Sequence, residues 1–317
     1  MKMHGEIALF TGNSNPELAR KIAKNLKVNL GLAEVKKFAD GETSVALKEL
    51  VRDRDVFIIQ PTCNPANDHL MELLIMIDAA KRASSGRINA VLPYFGYSKQ
   101  DRKADHWEPV SAKLVANLIE KAGADSVLTM DLHAQQIEGF FDIPVDIIYA
   151  SRVIVDYLKE KKLKDPIIVA PDVGGSRRAR GYAKRLGTEL AIVDKRRPKP
   201  NVSEIMNIIG DVEGKTAILV DDEINTAGTI ANAAFALIEK GAIEVYAAAS
   251  HAIFAGPAIE RLGKAPIKEV IVTDSVFIPK EKMISKVKVV SVAPLFAEAI
   301  ERIHEGKSLS EMLNPAK

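Results

Sequence analysis

The chain has 317 residues, longer than one typical domain, and 47% of them are hydrophobic, enough to fill two cores. Its 44 basic and 42 acidic residues nearly cancel, which excludes a global field drawing the protein to nucleic acid or an anionic membrane. The one cysteine, Cys63, excludes an internal disulfide, and its apolar surroundings mark a buried small residue.

At the N-terminus, "MKMHGEIALFTGNSNPELARK" has too short an apolar run for a signal peptide. No later segment reaches the ~20 apolar residues of a membrane span. The expectation is a soluble cytoplasmic protein. Short β-rich runs then alternate with helix-period segments, the pattern of α/β units around a mostly parallel sheet. The predicted strands are "EIALFTG", "DVFIIQP", "INAVLPY", "SVLTMDL", "PIIVAPD", "LAIVDK", "TAILVDD", "EVYAAAS", "EVIVTD" and "KVVSVAP". The spacing of Leu114, Val115, Leu118, Ile119 and Ala122 predicts a helix over 109–122 with those residues on its apolar face, stopped by Gly123. Two segments rich in charge, glycine or proline, 93–109 and 194–204, are predicted to be surface loops or flaps.

The chain also repeats itself. "LIEKAGADSVLTMDLHA" (118–134) lines up with "LIEKGAIEVYAAASHA" (237–252), with LIEK at an offset of 119 and His-Ala at an offset of 118, one residue being deleted between. Each copy reads helix, glycine stop, strand, His. The reading is a duplicated α/β domain with its boundary near 147–150.

Several strands end in groups able to do chemistry: Asp131 and His133, Asp172, Lys195 and Arg197, Asp221 and Asp222. Ligands of open α/β sheets bind outside the carboxyl ends of the strands, so these side chains are candidates to converge there. Asp131 and His133, two apart on an extended chain, are expected on the same side. A carboxylate, an imidazole and a second strand-end Asp suit a hydrated Mg²⁺ or the phosphates it carries. In "ILVDDEINTAGTI" (218–230) a strand runs through an acidic loop into a helix start. The backbone N–H groups of Thr226 to Thr229 and the helix dipole can hold a phosphate. Asp221 and Asp222 can accept a pair of vicinal sugar hydroxyls, so the combination points to a sugar phosphate. Neither a Walker A loop nor a G-x-G-x-x-G fingerprint is present.

The acidic pair followed by "NTAGT" resembles the phosphoribosyl-diphosphate motif of type I phosphoribosyltransferases. With "FADGE", "MDLHAQQIEGFFDIPVD", "PDVGG" and "DKRRPKPN", the whole chain is similar to the ribose-phosphate diphosphokinase family, phosphate-activated class. The resemblance implies two tandem phosphoribosyltransferase-like domains, 1–148 and 149–302, with a tail 303–317 returning to the first, whose own substrate loop is lost. It implies Mg²⁺-dependent transfer of the diphosphate group of ATP to the 1-hydroxyl of ribose 5-phosphate, releasing AMP. By motif position Asp40, Gly41, Glu42, Lys99, Gln100 and Asp101 would meet ATP, partly across a subunit interface. His133 and Asp172 would sit at the metal, and Lys195 and Arg197 would close on the transferred group as transition-state stabilisers. Asp221, Asp222, Asn225, Thr226, Ala227, Gly228 and Thr229 would hold ribose 5-phosphate. The family assembles as hexamers built from dimers, with phosphate activating and ADP inhibiting. Two positions depart from its pattern: Lys99 where most members have Arg, and Asn225 where the motif carries Asp. Asn225 leaves open a second reading, a catalytically weak paralogue regulating an active subunit; a nucleobase phosphoribosyltransferase is a third, disfavoured by the two-domain length.

Overall fold

The computed structural model describes residues 5–196 and 205–313. The chain divides into two compact units, Met1–Tyr149 with Ser275–Phe277 and Val292–Lys317, and Ala150–Asp274 with Ile278–Ser291. The first contains β1 (Ile7–Thr11), α1 (Pro16–Leu26), β2 (Ala33–Lys37), β3 (Thr43–Leu47), β4 (Asp55–Ile59), α2 (Ala66–Arg82), β5 (Arg87–Leu92), α3 (Ser111–Ala122), β6 (Ser126–Met130) and β7 (Val145–Ile148). The second contains α4 (Ser151–Glu160), β8 (Pro166–Ala170), α5 (Ser176–Leu186), β9 (Glu189–Arg196), β10 (Ile205–Ile209), β11 (Thr216–Ile224), α6 (Gly228–Glu239), β12 (Glu244–Ala252), α7 (Ala258–Lys264), β13 (Glu269–Thr273) and β14 (Val287–Val290). Helices α8 (Ala293–Glu305) and α9 (Ser310–Leu313) follow. Because the chain rejoins the first unit at Val292, all of α8 belongs there, not only a tail from 303.

In the second unit the sheet order is β10-β9-β8-β11-β12-β13-β14, parallel except for the β9–β10 hairpin. The chain leaves β8 for β9 on one side and continues at β11 on the other, so the order reverses between β8 and β11. Such a reversal opens a crevice at the carboxyl ends of the two strands. The first unit has the parallel order β1-β4-β5-β6-β7, and Leu30 makes a parallel bridge to Leu9 on the outer edge of β1. Its reversal therefore falls between β1 and β4, and its separate antiparallel hairpin β2–β3 occupies the chain position that β9–β10 takes in the second unit.

Continuous apolar runs make the central strands, as a sheet covered on both faces requires: every residue of β4 and β6 is buried. The four strands that the sequence reading missed, β2, β3, β7 and β10, are short. In the described burial of β2, β3 and β7 only Ile148 is fully buried, so an apolar run could not reveal them.

Burial also corrects two sequence readings. In α3 the inward residues are Ala112, Val115, Ala116 and Ile119, whereas Leu114 is 58% and Leu118 40% exposed. In α6, Ile230, Ala233, Ala234 and Leu237 are buried, each 118 positions after its α3 counterpart. Gly123 and Gly241, both at positive φ, and His133 and His251 keep the same spacing. The repeat is thus in register at 118 throughout. LIEK at 119 is a coincidence one residue out of phase: Leu118 and Ile238 face outward while Ile119 and Leu237 face inward.

Candidate active site

In the second unit, β11 pairs with β8 only as far as Leu219 opposite Val169, and then runs on beside β12 to Ile224. Asp221 and Asp222 therefore stand beyond the end of β8, at the mouth of the crevice. The Asp221 side chain is 21% exposed and that of Asp222 is 7% exposed. Burial, and then the hydrogen bond and charge of Asp222, push the Asp221 carboxyl well above its ordinary value, while the charge of Arg178 pulls it back. Arg178 donates Nη1 to Asp222 Oδ1 at 3.1 Å and to Asp221 Oδ1 at 3.4 Å.

Downstream, the loop is shaped by its backbone. Ala227 has φ 59°, a left-handed conformation that a residue with a Cβ adopts only under local constraint, and it is followed directly by α6. A left-handed residue just before a helix turns successive N–H groups toward one concavity, an arrangement suited to an anion. Two bonds fix the loop from outside: Ala255 donates its N–H to the Asn225 carbonyl at 2.9 Å, and Arg261 Nη1 donates to the Thr226 carbonyl at 3.0 Å. A Cβ on Gly228 would lie 3.2 Å from that Arg261 nitrogen, so glycine fits the close approach. The contacts that tie down this loop thus run to the backbone carbonyls of Asn225 and Thr226.

Asp172 follows β8, and its Oδ1 accepts the Gly175 N–H at 3.0 Å at the start of α5. Lys195 is not in a loop as expected: β9 continues through it, opposite Met206 of β10. Arg197 lies outside the described residues.

The first unit carries the other expected residues. Asp40, Gly41 and Glu42 form the tip of the β2–β3 hairpin, where Gly41 at φ 94° donates its N–H to the Phe38 carbonyl and Asp40 Oδ1 accepts the Glu42 N–H at 3.1 Å. A turn closed by a positive-φ glycine matches the right-handed twist of a hairpin. Beside it Phe38 is half-exposed, an aromatic face the residue reading passed over. Lys99 and Gln100 are exposed. The Gln100 carbonyl accepts the Ala112 N–H at 3.2 Å, Ser111 bonds its side chain, and Asp101 Oδ2 accepts from Gln136 at 2.5 Å. The segment 93–109 is not uniformly a surface loop. Pro93–Gly96 are buried and clamped by Thr62, whose Oγ1 accepts the Gly96 N–H at 2.7 Å, and exposure begins at Lys99 and peaks at Trp107, 98%. His133 is exposed; Asp131 is buried, at φ 40° just past the end of β6, so the extended geometry assumed for the two does not hold.

The crevice of the first unit is filled from within. Glu72 accepts from the Asn13 backbone and side chain and from Gln60, and Gln60 Oε1 accepts from Ser14 Oγ at 2.8 Å. A Cβ on Gly12 would lie 2.6 Å from Gln60 Oε1, so these groups close the space with their polar atoms satisfied by one another.

No group of three or more His, Cys, Asp or Glu side chains able to hold a metal occurs among the described residues. No helix among the described residues is long and apolar enough to cross a membrane.

A parallel sheet with this order reversal, a carboxylate pair and an anion-shaped loop at its strand ends define a phosphoribosyltransferase-type α/β protein. Residues 7–123 match the model of the N-terminal domain of ribose phosphate pyrophosphokinase, and 194–314 match the phosphoribosyl synthetase-associated domain. The chain is 58% identical to the ribose-phosphate pyrophosphokinase of Caldanaerobacter subterraneus subsp. tengcongensis, over 96% of this chain and 97% of that protein. It is 56% identical to that of Corynebacterium ammoniagenes over 98% of each. The crystal structure of phosphoribosylpyrophosphate synthetase from Mycobacterium smegmatis superposes with a TM-score of 0.91 at 43% identity, covering 95% of this chain and all of that one. The chain belongs to the ribose-phosphate pyrophosphokinase family.

Proposed function

We propose that the protein transfers the diphosphate group of ATP to the 1-hydroxyl of ribose 5-phosphate, giving phosphoribosyl diphosphate and AMP. The observation that carries this reading is the pairing, in one strand–loop–helix unit, of two hydroxyl-accepting carboxylates with an anion cradle: Asp221 and Asp222 for the ribose diol, Asn225 to Thr229 for the 5-phosphate. The sugar 1-oxygen attacks the β-phosphorus of ATP, the bond from that phosphorus to the α,β-bridging oxygen breaks, AMP leaves with that oxygen, and the hydroxyl proton goes to solvent or to Asp222. Such a transfer depends on positioning and on neutralising the transferred group, the task proposed for Lys195 and Arg197.

ATP is the proposed ligand of the first unit's residues Asp40, Gly41, Glu42, Lys99, Gln100 and Asp101, with the Phe38 ring as a stacking surface for its base. Mg²⁺, held through the ATP phosphates with His133 and Asp172 as protein groups, would lower the charge on the diphosphate. We further propose a cytoplasmic homo-oligomer, a hexamer built from dimers, with phosphate and ADP as regulators. The test follows the label: ATP carrying ³²P at its β position yields labelled phosphoribosyl diphosphate and unlabelled AMP. Labelled ADP as the nucleotide product would show single phosphoryl transfer and overturn the reading.

A further inference from the structure

Arg178 was not singled out by any motif, yet it touches both members of the carboxylate pair. It sits in the first turn of α5, which begins directly after the Asp172–Gly175 turn and packs across β8 and β11. The buried residues of α5, Ala179, Tyr182 and Ala183, hold the helix against the sheet. That docking carries the guanidinium to the end of β11, where it is itself only 20% exposed. Its Nη1 engages Oδ1 of both acids, and Asp221 Oδ1 also accepts the Asp222 N–H at 2.9 Å. The side chains of Asp221 and Asp222 also lie within hydrogen-bonding reach of one another.

We propose that Arg178 is a positioning residue for sugar binding: it anchors Oδ1 of Asp221 and of Asp222 and so holds the carboxylate pair in the arrangement that meets the ribose hydroxyls. Two adjacent carboxylates of low exposure repel one another, and each gains by rotating away or taking a proton. A protonated or rotated acid is a poorer acceptor for a diol. A guanidinium nitrogen shared by both removes that drive and restrains the two side chains at once, and Lys would bring the charge there on a more flexible stem. The raised Asp221 carboxyl, pulled back by the Arg178 charge, agrees with this arrangement.

The inference rests on the proposed role of Asp221 and Asp222 as hydroxyl acceptors, and the variants separate the two. Steady-state kinetics on the intact enzyme would be measured for Arg178→Met, Arg178→Lys, Asp221→Asn and the Arg178→Met/Asp221→Asn pair. Arg178→Met should raise KM for ribose 5-phosphate by about 10-fold or more while KM for ATP stays within about twofold, and Arg178→Lys should recover part of the loss. In the Asp221→Asn background, where the repulsion is already gone, Arg178→Met should cost at most about threefold. Unchanged KM for ribose 5-phosphate in Arg178→Met and Arg178→Lys, or equal effects with and without Asp221→Asn, would overturn the clamp. If Asp221→Asn alone leaves that KM unchanged, the reading of the carboxylate pair fails, whatever Arg178 does. Should Arg178→Met not fold, Arg178→Lys and its pair with Asp221→Asn carry the same comparison.

Discussion

At the scale of single residues, the transferred diphosphate needs cations more than it needs a proton carrier. Lys195→Ala is accordingly expected to lower kcat by at least ~10²-fold, as removal of a transition-state charge contact does; a twofold decrease in the AMP-release rate would remove Lys195 from that role. Gly96 makes a different kind of demand. A Cβ there would lie 2.2 Å from the Thr62 carbonyl oxygen, a backbone atom that cannot swing aside. Gly96→Ala should cost about 1–3 kcal/mol in urea unfolding through this overpacking, and unchanged stability would show that the clamp yields. Asn225 illustrates what a sequence can and cannot say about a site. The departure from Asp was legible in the loop motif, and so was the carboxylate pair, because both lie within a few residues of a strand end. That the loop is held by Ala255 and Arg261 depends on residues 30 to 36 positions away and has no local signal. Arg178 was hidden for the same reason: its reach from a helix to the next strand is a product of docking. Burial pushes the Cys63 thiol up to about 11, in keeping with an unreactive buried residue.

At the scale of elements, α8 is bolted to the amino ends of the first sheet by a buried polar network. Asp55, wholly buried at the start of β4, accepts from Arg87 Nε at 2.8 Å and Nη2 at 2.5 Å, from Asn89 at 2.8 Å, and bonds His304 of α8 at 2.8 Å. Arg87 also donates to the Ile303 carbonyl at 3.2 Å. Burial alone would raise the Asp55 carboxyl, but the bonds from Arg87 and His304 outweigh it and hold the group below its ordinary value of 3.8. A lowered carboxyl contributes stability that is present above the unfolded value and is lost as pH falls through the folded one. Thermal unfolding should therefore show the wild type losing stability below about pH 3.8, with Asp55→Asn lower at neutral pH and flatter across that acid window. At neutral pH the substitution should cost about 1–3 kcal/mol, because it removes a buried charged acceptor from the part-buried Arg87 and from His304; parallel Tm curves for the two proteins would contradict the assignment. Elements of this kind were only partly legible. Apolar runs revealed the buried parallel strands, but β2 and β3 are five residues each and only half-cover one face, with Ala33, Val35, Val45 and Leu47 packed on the core and no residue fully buried. The repeat was visible, while its true register needed burial, since LIEK matches by letter one step away from the position at which Ile119 and Leu237 match by packing.

At the scale of the whole molecule, the two units use one architecture differently. The second places a carboxylate pair and an anion-shaped loop at the ends of the strands where its order reverses. The first closes the corresponding place with Asn13, Ser14, Gln60 and Glu72 and offers instead a hairpin tip and the 99–101 segment. The chain position of that hairpin matches β9–β10, so duplication supplied each unit with a hairpin on which a different task is proposed to have settled. Light scattering is expected to give a mass near six chains of 34.6 kDa; a monomeric mass would remove the proposed assembly. This chain, with Asn225 in place of the usual acid, is proposed to be a working diphosphokinase. The direct measurement is AMP release from ATP in the presence of Mg²⁺, with and without ribose 5-phosphate, for the wild type and for Asn225→Asp. Ribose-dependent AMP is expected from the wild type, matched one for one by phosphoribosyl diphosphate. Absence of ribose-dependent AMP from the wild type, with activity appearing in Asn225→Asp, would contradict it.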